Sequence, residues 1–405
     1  MRRPAALARL RDWRLPRAEV FLPGHRVRLL YNGSDFFPLL LGEIECARVE
    51  IFLESYLFEA DDIGERVVAA LAAAALRGVR VKLQVDGFGA RQFPLQWQQR
   101  LADAGAWLLF FRPNTTFSVN RSRLRRLHRK LAVIDGRVGF VGGINILSDQ
   151  EPGQSALAPR YDYAFRVEGP VVAQMHDALD RLWRHSAWVQ LKRSWAVRST
   201  VPVDVTGRGD VAAAFAIRDN LRHRHDIEHA YLRAIRHARH EIVIANAYFL
   251  PGYRFRQALR AAAARGVTVV LVLQGQVDQF LLHWATRAYY RRFLLSGMHI
   301  HEYQAGFMHA KAAVIDGEWA TVGSSNLDPF SLLLAREANV FVRDRTLAGE
   351  LRDDIFRHIE RAAAPVRLTD LRRGGLMLRA LVWGCFGLVR LIMSLTRYGG
   401  PRYLE

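Results

Sequence analysis

The chain has 405 residues, half of them apolar, with 58 Lys and Arg against 39 Asp and Glu and a formal charge of +19. That length buries a large core and exceeds what one core usually organises, which excludes a small stapled scaffold and predicts two domains. The charge asks for a polyanion, nucleic acid or an anionic membrane surface, without choosing between them. The two cysteines, Cys46 and Cys385, follow no metal-ligand or disulfide spacing, which fits a reduced, cytosolic compartment and argues against a structural zinc.

In chain order, residues 1–25 form a basic extension in which Arg9, Arg11 and Arg14 interrupt any secretory apolar run. Residues 26–195 alternate short β-rich apolar runs with helical patterns. EIFL precedes a helix entered at Asp61 and Asp62 and stopped by Gly78, then comes VRVKLQV. After an irregular polar linker at 196–210, residues 211–365 do likewise. Their helix opens after Pro251-Gly252, ends at Arg265-Gly266 and feeds VTVVLVL, whose lack of polar alternation predicts a sheet covered on both faces. Each half reads as an α/β domain.

Residues 366–405 contain GLMLRALVWGCFGLVRLIMSL, strongly apolar, but only ten uncharged residues separate Arg379 from Arg390, half of a bilayer span. Trp383, Phe386 and many Leu mixed with Arg372, Arg373, Arg379, Arg390 and Arg397 predict a helix lying in an anionic interface. A core-packed terminal helix or a dimer contact fits the same composition. The membrane reading makes the chain a peripheral protein on the cytoplasmic face of a cell membrane.

The halves repeat one another. ARVEIFLESYLF at 47–58 is echoed by ARHEIVIANAYFL at 238–250, and LAAAALRGVRVKLQVDG at 71–87 by ALRAAAARGVTVVLVLQG at 258–275. LHRKLAVIDGRVGFVGGIN at 127–145 matches MHAKAAVIDGEWATVGSSN at 308–326. Such self-similarity marks an internal duplication.

In an extended strand His128 and Lys130 share one face, as do His309 and Lys311. Asp135-Gly136 and Asp316-Gly317 each sit between two strand-like runs, a strong hairpin signal that returns the chain to Asn145 and Asn326 near the motif histidines. Two imidazoles, two ammonium groups and two amides converging on one pocket suit a phosphodiester. Lysines and asparagines hold the non-bridging oxygens, one histidine attacks phosphorus and the other protonates the departing alkoxide, with no metal required. Opposite protonation states call for acidic neighbours, and Asp162 in YDYAFRV and Glu337 in REANVFV follow the two motifs on strands that could lie beside each motif's own hairpin. Asp135 and Asp316 read as turn formers, and Ser324 as an added hydroxyl donor to phosphate. The segment RHRHDIEHAYLRAIRHARH carries His225 and His229 at metal-pair spacing, but its apolar stripe predicts an ordinary amphipathic helix with solvated histidines.

The doubled HxKxxxxD with its trailing GGxN and GSxN resembles the phospholipase D superfamily from about residue 26 to 360. Within it, HRKLAVIDGRVGFVGGIN and HAKAAVIDG with VGSSNLDPFS look like bacterial cardiolipin synthases of the B type, which lack N-terminal transmembrane helices. The resemblance implies two similar α/β domains, each a mixed sheet flanked by helices, and a covalent phosphohistidine with neither metal nor other cofactor. It also implies His128 as nucleophile and His309 as the general acid that later deprotonates the incoming alcohol. By the same resemblance Lys130, Lys311, Asn145 and Asn326 bind phosphate, and Asp162 and Glu337 orient the histidines. The implied reaction moves a phosphatidyl group from one phosphatidylglycerol to another and releases glycerol, on an anionic membrane and without nucleic acid. A hydrolytic phospholipase D or nuclease would use the same chemistry, and an inactive basic binding protein would keep only the fold.

Overall fold

The computed structural model describes residues 19–113, 125–150, 158–219, 222–277, 279–329, 331, 335–373 and 375–395. The extension through residue 18, the side chains of Arg372 and Arg373, and Arg397 lie outside the described residues.

The first half supplies strands β1 (Leu22–Tyr31), β2 (Glu50–Ser55), β3 (Arg80–Asp86), β4 (Trp107–Phe111), β5 (Arg126–Leu127), β6 (Leu131–Ile134), β7 (Val138–Gly142), β8 (Ala158–Tyr161) and β9 (Tyr163–Glu168). Its helices are α1 (Asn32–Cys46), α2 (Asp62–Leu76), α3 (Leu95–Asp103) and α4 (Val171–Val189). The second half supplies β10 (Val211–Arg218), β11 (Glu241–Asn246), β12 (Thr268–Gln274), β13 (His299–Tyr303), β14 (Gly306–Met308), β15 (Lys311–Ile315), β16 (Trp319–Gly323), β17 (Ala335–Arg343) and β18 (Ala363–Pro365). With them come α5 (Asp226–His237), α6 (Tyr253–Ala264), α7 (Phe280–Arg287), α8 (Tyr290–Leu295), α9 (Arg345–Ala362), α10 (Leu368–Arg373) and α11 (Leu376–Leu395).

The strand order β4-β3-β2-β6-β7-β9-β1 is repeated as β13-β12-β11-β15-β16-β17-β10. In each half three parallel strands meet antiparallel neighbours at the motif hairpin, so the sheet is mixed. The two half-sheets join edge to edge through the antiparallel β1–β10 pair, which blunts two exposed edges at once. β1 begins at Leu22, four residues before the expected start of the first domain.

The expected punctuation has visible causes. Asp61 caps α2 by accepting from Gly64 N at 2.8 Å, and Gly78 takes a φ of +89° just past the helix end. Gly266 repeats this after α6 with a φ of +90°. β12 is buried on both faces as its sequence requires: Val269, Leu271 and Leu273 enter the core under α5 and α6, whereas Val270 and Val272 enter the opposite one. That second core is shared, for α4 and α9 bring residues of both half-sheets into one apolar cluster. The halves are therefore a duplicated pair with one core in common. Residues 196–210 carry no helix or strand and lie against the first half, with Asp204 N donating to Gly136 O at 3.0 Å.

Helix α11 packs Cys385, Phe386, Val389 and Met393 inward, with Phe386 edge-on to Tyr289 of the α7–α8 connection. Its other faces leave Leu376, Met377, Trp383, Leu388 and Leu391 exposed. By length and composition it could span a bilayer, with a mean hydropathy of 1.8 over Leu376–Ser394.

Candidate active site

The Asp-Gly turns build the two motif hairpins. Asp135 and Gly136 take φ of +50° and +61°, and Asp316 and Gly317 take +53° and +62°, the paired positive values of a type I′ turn. Each aspartate also staples its hairpin to the loop entering the neighbouring strand. Asp135 accepts from Arg48, Val49 and Glu50 N at 2.8–2.9 Å, and Asp316 from Arg239, His240 and Glu241 N at 2.8–3.0 Å. Both stand at the far ends of the hairpins from the motif histidines.

The short strands that lead into the motifs cross between halves. β5 pairs in parallel with β17, placing His128 N on Arg336 O at 3.0 Å; β14 pairs with β8, placing His309 N on Tyr161 O at 2.8 Å. Each lead-in is also tied to its own half. Asp86, last in β3, accepts from Leu127 N at 2.8 Å, and Gln274, last in β12, accepts from Met308 N at 3.1 Å. These two anchors were not anticipated, although their signal was present in the matched ends of VRVKLQVD and VTVVLVLQ.

The imidazoles of His128 and His309 meet with centroids 6.5 Å apart in a cleft of about 490 Å³ lined by both halves. Each is backed by the other half's acid. His128 Nδ1 lies 3.0 and 3.1 Å from the Glu337 carboxylate oxygens, and His309 Nδ1 lies 2.7 Å from Asp162 Oδ2. The strands of both acids do lie beside their own motif hairpins, β9 on β7 and β17 on β16, but the lead-in strands of the histidines cross between halves, so Glu337 serves His128 and Asp162 serves His309.

Lys130 Nζ donates to His128 O at 2.9 Å, and Lys311 Nζ donates to His309 O. Asn145 and Asn326 line the cleft. Leu57 N holds Asn145 Oδ1 at 3.1 Å, and the buried Asn326 Oδ1 has no hydrogen-bond partner among the described residues. The expectation for Ser324 is corrected too. Its side chain is fully buried, its Oγ donates to Glu337 Oε2 at 2.5 Å and accepts from Ala338 N at 3.0 Å, so it faces the acid and not the cleft. Ser331 of the DPFS run, not singled out from the sequence, donates to Glu337 Oε1 at 2.6 Å and lines the cleft. Tyr56, stacked at an angle on His128 with centroids 4.8 Å apart, and the mouth residues Arg126 and Arg160 were also not anticipated.

Electrostatics separate the two pairs. Burial holds the His128 imidazole below its usual pKa against the pull of Glu337, and Lys130 and Lys311 push it further down. His309 is driven well below its usual value by burial and then by both lysines. Burial raises Asp162 to about 7, opposed by Lys311. Burial would also raise Glu337, but His128, Lys130 and Ser324 outweigh it and hold the carboxyl below the ordinary glutamate range. Burial lowers Lys130 to about 7, against Glu337. A phosphate anion entering this cleft would restore the positive forms.

The histidine-rich stretch forms α5 and its approach. His223 pairs with Asp226 at 2.7 Å and His225 with Glu228 at 3.2 Å, while His229 is buried, correcting its expected exposure. It sits on the face that carries Ile227, Tyr231 and Leu232 into the core.

The family model described as cardiolipin synthase, PLD-like domain, matches residues 40–183 and 231–359, one segment in each half. The chain is 39% identical to cardiolipin synthase B of Escherichia coli (strain K12) over 334 residues, 82% of this chain and 80% of that protein. It is 31% identical to cardiolipin synthase 1 of Staphylococcus epidermidis, over 86% of this chain and 71% of that one. Among solved structures, phosphatidylserine synthase from Haemophilus influenzae Rd KW20 shares the fold with a TM-score of 0.69 at 13% identity, covering 94% of this chain and 97% of that one. With the motif match in both halves and this identity over most of its length, the chain belongs to the family of cardiolipin synthases with phospholipase D-like domains.

Proposed function

We propose that the chain is a phosphatidyltransferase of the cardiolipin synthase type, joining two phosphatidylglycerol molecules with release of glycerol. The observation that carries the mechanism is the crossed pair of acid–histidine contacts facing each other across one cleft.

An ionised Glu337 accepts Nδ1–H of His128 and leaves the Nε2 lone pair facing the cleft, which makes His128 the nucleophile. Asp162, raised to about 7, keeps a proton that it donates to His309 Nδ1, so the neutral His309 presents Nε2–H. Attack of His128 Nε2 on phosphorus breaks the P–O bond to glycerol. His309 Nε2–H protonates the leaving oxygen, and the Asp162 proton moves to Nδ1 as replacement. In the second step His309 Nε2 takes the proton of the acceptor's hydroxyl, Nδ1–H returns to Asp162, and the new P–O bond forms as the P–N bond to His128 breaks. Lys130, Lys311, Asn145 and Asn326 supply donors for the non-bridging oxygens, where charge accumulates in both transition states. For the lysines this requires a swing away from the histidine carbonyls they now hold.

The exposed apolar residues of α11, interrupted by only Arg379 and Arg390, suit a helix lying in an anionic interface, and we place the chain peripherally on the cytoplasmic face of the membrane. Lipid product analysis tests the whole reading. Vesicles of phosphatidylglycerol alone should yield cardiolipin and free glycerol in equal amounts, and His128→Ala should yield neither. Phosphatidic acid as the main product would assign hydrolysis instead.

A further inference from the structure

A second cavity of about 720 Å³ lies between α8, β18, α10 and α11, and its lining shares no residue with that of the catalytic cleft. Its volume falls in the range of small-molecule sites. One wall is apolar, built from Leu295 of α8 with Leu378, Val382 and Trp383 of α11. Leu378 and Trp383 also belong to the exposed surface of that helix, at 36% and 54% exposure. The cavity therefore opens where the helix would meet acyl chains.

Its charged groups are three arginines, Arg287, Arg291 and Arg379, and two carboxylates, Glu302 and Asp370. Both carboxylates are engaged within the protein. Glu302 accepts from Arg287 through both oxygens at 2.8 Å and from Tyr290 Oη at 3.0 Å, and Asp370 accepts from Arg367 N at 3.1 Å. Arg291 is exposed and forms no ion pair among the described residues. With Glu302 paired to Arg287, Arg291 and Arg379 stand against the single carboxylate of Asp370, so the rim keeps a net positive charge beside an apolar wall, the complement of one phosphate attached to one or two acyl chains.

We propose that this cavity binds an anionic membrane phospholipid as a held ligand, its phosphate on Arg291 with the charge of Arg379 on the same rim, and an acyl chain along Leu378, Val382 and Trp383. The site goes beyond the reading of the cleft, but it rests on the membrane placement of α11 given there. A lipid seated here tethers α11 to the bilayer without being consumed.

The test uses the full chain as His128→Ala, so that lipid is retained and not turned over, and counts bound lipid by native mass spectrometry from detergent solution. Phosphatidylglycerol should be retained at two sites. Adding Arg291→Glu with Arg379→Glu should weaken one of them by about tenfold. Val382→Trp, which fills the apolar wall without touching charge, should do the same and decides the matter if the charge reversals fail to fold. Phosphatidylcholine should not hold the second site, and millimolar glycerol phosphate should not displace lipid from it. An unchanged lipid count in both variants, equal retention of phosphatidylcholine, or displacement by glycerol phosphate would overturn the proposal. If the parent chain turns over phosphatidylglycerol normally while the variants keep both lipids, this inference alone fails. If the parent leaves phosphatidylglycerol unchanged while the variants lose one lipid, the proposed reaction fails and the site stands.

Discussion

The two halves share strand order, turn chemistry and motif spacing, yet they hold their carboxylates differently, and the difference begins at one pair of matched positions. Gly143 in GGIN corresponds to Ser324 in GSSN. A Cβ at Gly143 would stand 2.1 Å from Asp162 Oδ1, so that position must be bare for Asp162 to reach His309. At the matched position Ser324 turns its hydroxyl to Glu337, and Ser331 adds a second. Among the described residues the Asp162 carboxylate has only Tyr163 N, at 2.8 Å, beside its histidine. Glu337 is thus kept ionised by His128 and Lys130 with the Ser324 hydroxyl added, whereas at Asp162 burial prevails and the carboxyl holds its proton to about pH 7. Duplication supplied two equal histidines, and the proposed division into nucleophile and acid rests on their unequal supports.

The largest way to break this inequality is to change the acids themselves. Asp162→Asn should cost about 10²–10⁴-fold in kcat, because Asn has no proton to pass on once His309 has given up Nε2–H. Its pH profile separates it from a structural lesion. In the parent, loss of the Asp162 proton and of the Lys130 charge both make activity fall as pH rises through about 7, and in Asp162→Asn that alkaline limb should become shallower, with the Lys130 step alone remaining. Glu337→Gln should cost a similar factor but move the other limb. Glu337 raises the His128 pKa, so without its charge His128 should protonate only at lower pH and the acidic limb should shift down. Equal effects of both changes on both limbs would remove the division of roles.

A smaller change sharpens the comparison. Ser324→Ala withdraws a donor from Glu337, raises its pKa and leaves Ala338 N unbonded; about a tenfold loss of activity is expected, consistent with one lost charge-assisted hydrogen bond of ~1.5 kcal/mol. An unchanged rate and pH profile would show that the hydroxyl does not set the state of the acid.

The smallest effect on chemistry belongs to the turns. Asp135→Ala and Asp316→Ala should each lower stability by ~1–2 kcal/mol, since each carboxylate accepts three backbone N–H groups at a partly exposed site. The folded fraction should keep kcat within a few-fold. A thousandfold loss of kcat in well-folded protein would bring these residues into the catalytic cycle.

Much of this was legible in the sequence because it is local. Asp-Gly at 135–136 and 316–317 encodes the hairpins, Asp61 and Gly78 bound their helix, and the unbroken apolar run of β12 encodes a sheet covered on both faces. The duplication located the histidines, lysines and asparagines, since one copy of a short motif is weak but two in matched context are not. The crossing of the acids was not legible. Glu337 is 209 positions from His128, and their meeting depends on β5 choosing β17, a pairing of two residues that no periodicity announces. Ser324 was misread for the same reason, because what its hydroxyl faces is decided by that distant strand. The seating of α11 on α7 also escaped, since its composition suits an interface and a core equally well.

The most direct measurement is the position of the covalent phosphoryl group. Parent enzyme mixed with phosphatidylglycerol labelled at phosphorus, quenched within milliseconds at alkaline pH where phosphohistidine survives, and mapped by peptide mass spectrometry should carry the phosphatidyl label on His128. Label on His309, or no label at any histidine under turnover, would contradict the assignment of nucleophile and acid made from the unequal support of the two histidines.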